Sequence, residues 1–185
     1  MGILGYVGYH MFKITASDGG SLWEVLGDGE VIGIAEYAAR HFQQHKRPLR
    51  IAVDGACWRF TNLAAAQVEA IRENESAANP VEKTILWRIL RVRKLNIQLL
   101  FVDDGPSKPW KRNKGTGGLV DKAIMKLTHQ LLDHLKIPYH QAPGEAKAEC
   151  AKLQSMGVVD AAWSDDGDAS MFGNTHRSTS RLERY

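Results

Sequence analysis

The chain has 185 residues, a formal net charge of +3, 44% apolar residues and two cysteines. That length can hold one domain of ordinary size with a sizeable core, and no apolar run approaches membrane-spanning length, so the composition points to no membrane partner. Cys57 and Cys150 make no disulfide framework and lack zinc-ligand spacing, which suits a reducing compartment and core or near-core positions.

In chain order, Gly2–Gly20 is glycine-rich and has no clear period. Ile34–Gln44 reads as a first helix, ended by the basic turn His45-Lys46-Arg47-Pro48. Leu49–Val53 is a short apolar run of strand length. Asn79-Pro80-Val81-Glu82 opens a helix with an Asn cap, Pro in the first turn and Glu three residues on. Its apolar residues Val81, Ile85, Ile89 and Val92 fall on one face. Ile97–Val102 is a second strand, and Asp121–Leu135 a helix with Ile124, Leu127, Leu131 and Leu135 on one face. Pro138–Gln141 is a third strand, Gly144–Met156 a helix closed by Gly157, and Ala161–Ser164 a fourth strand. The tail Asn174–Tyr185 is polar and offers no further strand, so the chain reads as incomplete. Alternation of strands and helices predicts an α/β fold: a mostly parallel central sheet with helices on both faces.

Each of the four strands runs into acid. Asp54 follows the first, Asp103-Asp104-Gly105 the second, Ala142-Pro143-Gly144-Glu145 the third and Asp165-Asp166-Gly167-Asp168 the fourth. Carboxyl ends of parallel strands share one edge of a sheet, where ligands bind. Acids gathered there repel one another unless a cation neutralises them, which predicts a hard divalent metal, usually Mg²⁺, acting on phosphate. Single acids after strands are common as caps and solvated loop residues; four in one order make the stronger case. Bases gather separately, in Arg88–Lys94 and Lys108–Lys114. Lys111, Arg112 and Lys114 are candidates for contact with backbone phosphates, against the alternative of a solvated turn. Arg88, Arg91, Arg93 and Lys94 read as the outer side of a helix. Trp58 is a candidate for stacking on a base, with core packing as the alternative; Trp87 and Trp163 read as core.

Met1-Gly2-Ile3, Leu22-Trp23, Val53-Asp54, Phe101-Val102-Asp103-Asp104-Gly105, Ala142-Pro143-Gly144-Glu145-Ala146 and Ser164-Asp165-Asp166-Gly167-Asp168 together resemble the XPG/flap endonuclease family. The likeness is greatest to its fungal GEN-type Holliday junction resolvases and covers residues 21 to 173. The resemblance implies a PIN-like nuclease core, with an N-terminal nuclease region over 21–115, a connecting helical segment over 116–136 and an internal nuclease region over 137–173. Residues 1–20 and 174–185 lie outside it, as an inserted segment and a divergent tail. It further implies metal-dependent hydrolysis of a phosphodiester at branched or flap DNA, in repair and recombination. Two Mg²⁺ ions, replaceable by Mn²⁺, would be held by Asp54, Asp104, Glu145, Asp166 and Asp168. A nuclear location and dimerisation only on a junction complete what the family implies.

The chain departs from that pattern at the helix mouth. The family has a second acid two residues after Glu145, where this chain has Lys147. A carboxylate is replaced by an ammonium, a change of two charge units that opposes metal binding; Glu149, one helical turn from Glu145, is a partial substitute. The family's start is also uninterrupted, whereas here more than a dozen residues separate Met1-Gly2-Ile3 from Leu22-Trp23. Two readings therefore stand: an active endonuclease, or a catalytically dead fragment that binds DNA weakly. A phosphatase with an aspartyl nucleophile is weaker, because Asp54-Gly55-Ala56 lacks the D-x-D that such enzymes need after the first strand.

Overall fold

The computed structural model describes residues 10–13, 30–59, 65–75, 79–107, 118–164 and 176–179. Their strands are β1 (His10–Lys13), β2 (Glu30–Gly33), β3 (Leu49–Asp54), β4 (Ile97–Asp103), β5 (Tyr139–Gln141), β6 (Ala161–Trp163) and β7 (His176–Thr179). The helices are α1 (Ile34–His45), α2 (Gly55–Arg59), α3 (Ala65–Asn74), α4 (Pro80–Arg93), α5 (Gly118–His134) and α6 (Ala146–Ser155). The sheet has the order β2-β1-β7-β6-β3-β4-β5. Strands β7, β6, β3, β4 and β5 run parallel, and β1 is antiparallel to β7 and β2. The expected α/β class and mostly parallel sheet are therefore present.

Alternation along the central strands divides the core. Ile51, Val53, Leu99, Phe101, Ala161 and Trp163 join a large cluster with Ile34, Trp58, Ile85, Ile89, Val92 and Leu132. Ala52, Val102 and Ala162 point the other way and pack with Ala142, Ala146, Cys150 and Val159. Side chains two apart share a face of a pleated strand, so a nearly continuous apolar run is what a strand covered on both faces requires. Small residues on the second face let α6 lie close to the sheet.

Local signals account for the helices. Asn79 caps α4 by accepting from Val81 N at 3.0 Å, with Pro80 opening the first turn. Gly157 closes the turn after α6 with φ +71°, a left-handed conformation that glycine adopts without strain. Helix α5 differs from its expected face: Thr128 and Leu132 are buried and Leu127 is exposed. Leu131 and Leu135 pack only partly against the core.

Two segments that promised no regular structure supply strands. β1 lies within Gly2–Gly20 and β7 within Asn174–Tyr185, and they pair with each other antiparallel. The expectation of no strand in the tail is corrected. Strand pairing is carried by backbone hydrogen bonds and depends on context more than on an apolar pattern, so a polar segment can join a sheet.

Asp160, at the amino end of β6, locks that strand to β3. Its carboxylate accepts two 2.6 Å bonds from Arg47 and a 2.9 Å bond from the Arg50 amide, with further bonds from the Arg50 guanidinium. The Asp160 amide donates back to Arg50 O at 2.8 Å. Burial alone would raise its pKa, but the hydrogen bonds from Arg47 and Arg50 outweigh burial and hold the carboxyl far below the usual range. This clamp sits at the sheet edge opposite the strand-end acids.

Candidate functional site

The chain passes from β3 to β4 and β5 on one side, then returns with β6 on the other side of β3. The carboxyl end of β3 is therefore the switch point of the sheet, where open α/β folds bind ligands. Asp54 ends β3 there. Its Oδ1 accepts from the Ala56 amide at 3.0 Å and the Cys57 amide at 3.4 Å, so it also caps α2. Burial pushes its carboxyl above the usual range; the Cys57 amide opposes that shift, and the charge of Asp104 adds to it. Asp54 and Asp104 thus sense each other's charge.

Asp104 and Glu145 are brought together by two clasped turns. Ala142 N donates to Asp103 O at 2.9 Å, Gly105 N to Gly144 O at 2.7 Å and Ser107 N to Pro143 O at 3.1 Å. Gly105 is required for this approach, because a Cβ there would lie 1.7 Å from Ala142 O. Glu145 occupies the N-cap position of α6 without a capping bond of its own. Asp104 Oδ1 instead accepts from Ala146 N at 2.9 Å and supplies the cap. The second strand-end acid is thereby fixed at the mouth of the helix that carries the third.

Asp103 has a separate job. It is buried at the end of β4, where Arg59 Nη1 donates to its Oδ1 and His129 Nε2 lies 2.6 Å from its Oδ2. The His129 ring stacks on Tyr139 with centroids 4.2 Å apart. This arrangement ties α2, β4, β5 and α5 together. Sequence reasoning gave neither Arg59 nor His129 a role, and the partners of Asp103 are too distant along the chain for any local motif to reveal them.

Lys147 is 8% exposed, and its Nζ lies 3.6 Å from Glu145 Oε2. The lysine at the departure position is thus paired with the acid of the same helix mouth. Glu149, the suggested substitute, meets His140 at 3.4 Å and Lys152 at 3.8 Å. Cys150 is buried, and burial together with the charges of Asp54 and Glu149 drives its thiol pKa up. It is a packing residue and not a nucleophile.

Two expectations about tryptophan are corrected. Trp58 is 2% exposed and makes edge contacts with Phe101 and Trp163 at centroid distances of 5.3 and 5.2 Å, with the Arg88 guanidinium 5.7 Å from its own ring. Helix α2 folds this side chain under the sheet, so it has no face to offer a base. Trp87, read as core, is 54% exposed, because it lies on the side of α4 away from Ile85, Ile89 and Val92. Trp163 is buried as expected. Asp166 and Asp168 lie outside the described residues, as do Lys111, Arg112 and Lys114.

Among the described residues no three His, Cys, Asp or Glu side chains come together as a metal-holding group. Asp54 and Asp104 converge, while Glu145 shares its carboxylate with Lys147. The described residues therefore fit a divalent ion only in part.

A mostly parallel α/β sheet with Asp54 and Asp104 at the carboxyl ends of adjacent strands is consistent with a PIN-like fold. Residues 136–181 match the family model described as the XPG I-region. The chain is 27% identical over 168 residues to Flap endonuclease GEN homolog 1 of Mus musculus, covering 80% of this chain and 18% of that protein. It is 40% identical over 161 residues to Flap endonuclease 1 of Nanoarchaeum equitans, covering 79% of this chain and 47% of that one. The structure resembles that of the Holliday junction-resolving enzyme GEN1 in complex with product DNA and Mg²⁺, with TM-score 0.62 and 37% identity over 83% of this chain and 34% of that one. The chain is similar to the XPG and flap endonucleases, and spans less than half the length of each protein just compared.

Proposed function

We propose that the chain carries the nuclease core of a structure-specific DNA endonuclease of the XPG/GEN type, hydrolysing a phosphodiester at flaps or Holliday junctions in nuclear repair and recombination. The observation that carries this reading is the pairing of Asp54 and Asp104 at the switch point of a fold similar to the GEN1 resolving enzyme, beside the mouth of the helix that begins at Glu145. In this reading Asp54 and Asp104 hold Mg²⁺, or Mn²⁺ in its place, and the ion supplies charge stabilisation at the phosphate. Glu145, Asp166 and Asp168 are proposed to complete the acidic edge. Lys111, Arg112 and Lys114 are proposed to neutralise backbone phosphates, each adding to the salt dependence of DNA binding. Residues 21–115 and 137–173 are the two halves of this core, and two copies are proposed to meet only on a junction.

A second reading, a catalytically dead core that binds branched DNA weakly, is favoured by the Lys147–Glu145 ion pair. Labelled four-way junctions and flaps incubated with the purified chain in Mg²⁺ and then Mn²⁺ separate the two. Cleavage that vanishes in both Asp54→Asn and Asp104→Asn supports the endonuclease. Binding to branched DNA without cleavage supports the dead core. No preference for branched over linear duplex DNA refutes both.

A further inference from the structure

Lys147 lies in the first turn of α6, and that turn stands at the strand-end acids. Its side chain is nearly all buried, and a buried ammonium is tolerated only where carboxylates or other acceptors surround it. Its nearest described carboxylate is Glu145, at 3.6 Å. Glu145 is the N-cap residue of the same helix and makes no capping bond. Asp104, in contrast, caps the helix by accepting from the Ala146 amide through Oδ1. The fold thus sets a carboxylate at the helix mouth and supplies an ammonium to neutralise it from two residues away.

From this geometry we infer that Lys147 is a resident cation of the acidic edge, which holds Glu145 in an internal ion pair and denies it to a divalent metal. The inference rests on the nuclease reading for the identity of the edge, but it is a statement about ion binding and stands or falls separately. A divalent ion on Glu145 would compete with the ammonium for the same carboxylate, and like charges at such range repel strongly in a site shielded from water. The acidic edge of this chain therefore takes up fewer divalent ions, and more weakly, than an edge carrying an acid at position 147. Asp54 and Asp104 keep their mutual repulsion and remain the pair able to attract an ion.

Mn²⁺ alone is the probe, with free Mn²⁺ followed by electron paramagnetic resonance during titration of the full chain. Lys147→Met removes the charge and preserves most of the buried volume; it is expected to tighten Mn²⁺ binding about tenfold, given the strength of charge interactions at this range. Lys147→Glu is expected to tighten binding further and to add a second equivalent. Introducing Glu145→Gln into the Lys147→Met background is expected to abolish the gain, because Glu145 is the ligand released. Thermal unfolding with and without Mg²⁺ gives a second readout: the Mg²⁺-induced rise in Tm should be larger in Lys147→Met than in the parent chain. The inference is overturned if Lys147→Met leaves the isotherm unchanged, or if the gain survives Glu145→Gln. Parallel assays on a labelled junction keep the two readings apart. Cleavage by the parent chain with an isotherm insensitive to Lys147→Met overturns the resident-cation inference and leaves the nuclease reading intact. Tighter Mn²⁺ binding in Lys147→Met that is lost with Glu145→Gln, with neither cleavage nor junction binding by the parent chain, supports the inference and removes the nuclease reading.

Discussion

Adjacent aspartates at the end of β4 should respond oppositely to the same substitution. Asp103 and Arg59 are both 3% exposed and bonded to each other, and His129 stands on the second Asp103 oxygen. Asp103→Asn keeps an oxygen for Arg59 but strips its charge, leaving the buried guanidinium without its bonded counter-ion and with only the charge of Asp54 in reach. Breaking a buried pair from one side costs about 3–5 kcal/mol. At about 2–4 °C per kcal/mol for a domain of this size, Tm should fall on the order of 10 °C. Asp104→Asn also keeps an oxygen, and that oxygen still caps α6 through Ala146 N. Its stability cost should stay under about 1 kcal/mol, the value of a typical cap, while on the proposed nuclease reading metal binding and cleavage are lost. Urea and thermal unfolding in EDTA measure the first effect, and Mn²⁺ titration with junction cleavage the second. Equal destabilisation by the two substitutions, or a neutral Asp103→Asn, would refute the assignment of structure to Asp103 and chemistry to Asp104.

Asp54→Asn should raise Tm at pH 7 in EDTA and, on the proposed nuclease reading, abolish cleavage. A carboxyl whose folded pKa is raised favours the fold only while protonated, and that support is lost as pH rises through the folded value, so its ionised form opposes folding at neutrality. Asp160 behaves in the reverse sense. Its depressed folded pKa gives stability that is full above the usual carboxylate range and lost as pH falls below it, so Asp160→Asn should flatten the acid limb of a Tm-versus-pH curve. Because the carboxylate is only partly shielded, the cost at pH 7 should be about 2–3 kcal/mol rather than the full value for a buried pair. Gly105→Ala should push Asp104 and Glu145 apart, since the new methyl meets Ala142 O and Pro143 O. Overpacking of this kind costs about 1–3 kcal/mol, and Mn²⁺ binding should weaken along with urea stability.

Much of this architecture is written locally. The Asn79-Pro80 start of α4, the Gly157 stop after α6 and the apolar runs of β3 and β4 each depend on a few neighbouring residues, so a single sequence suffices to find them. Trp87 was also within reach: it lies about 200° around α4 from Ile85, opposite the buried face. Other features depend on what the chain meets elsewhere. Whether Trp58 lies under the sheet or on its rim is decided by Phe101 and Trp163, which are distant in sequence. The face of α5 is set by Thr128 and Leu132 turning to the core, a rotation that the leucine spacing alone does not fix. β1 and β7 pair through backbone groups that every sequence possesses. The strand-end acids could be read as a set because parallel strands bring their carboxyl ends to one edge by construction. The resemblance alone singles out Asp104 of its pair; the structure adds the partners, with Arg59 and His129 on Asp103 and the α6 amide on Asp104.

The division of labour among these charges explains how the fold can accommodate Lys147. The clamp from Asp160 to Arg47 and Arg50 holds β6 to β3 at the amino edge of the sheet. The Asp103 network holds α2 and α5 to β4 from within. The Arg59 charge of that network also reaches Asp54, whereas Lys147 meets Glu145 on α6 itself, so the charge at position 147 can change with both anchors in place. A lysine at position 147 even relieves the repulsion that a bare acidic edge imposes on the folded state. The same substitution that weakens a metal site therefore favours the fold around it, and restoring an acid by Lys147→Glu should bind metal better while lowering Tm in EDTA. Opposite movement of those two readouts is the signature of an edge that has exchanged a bound ion for an internal one.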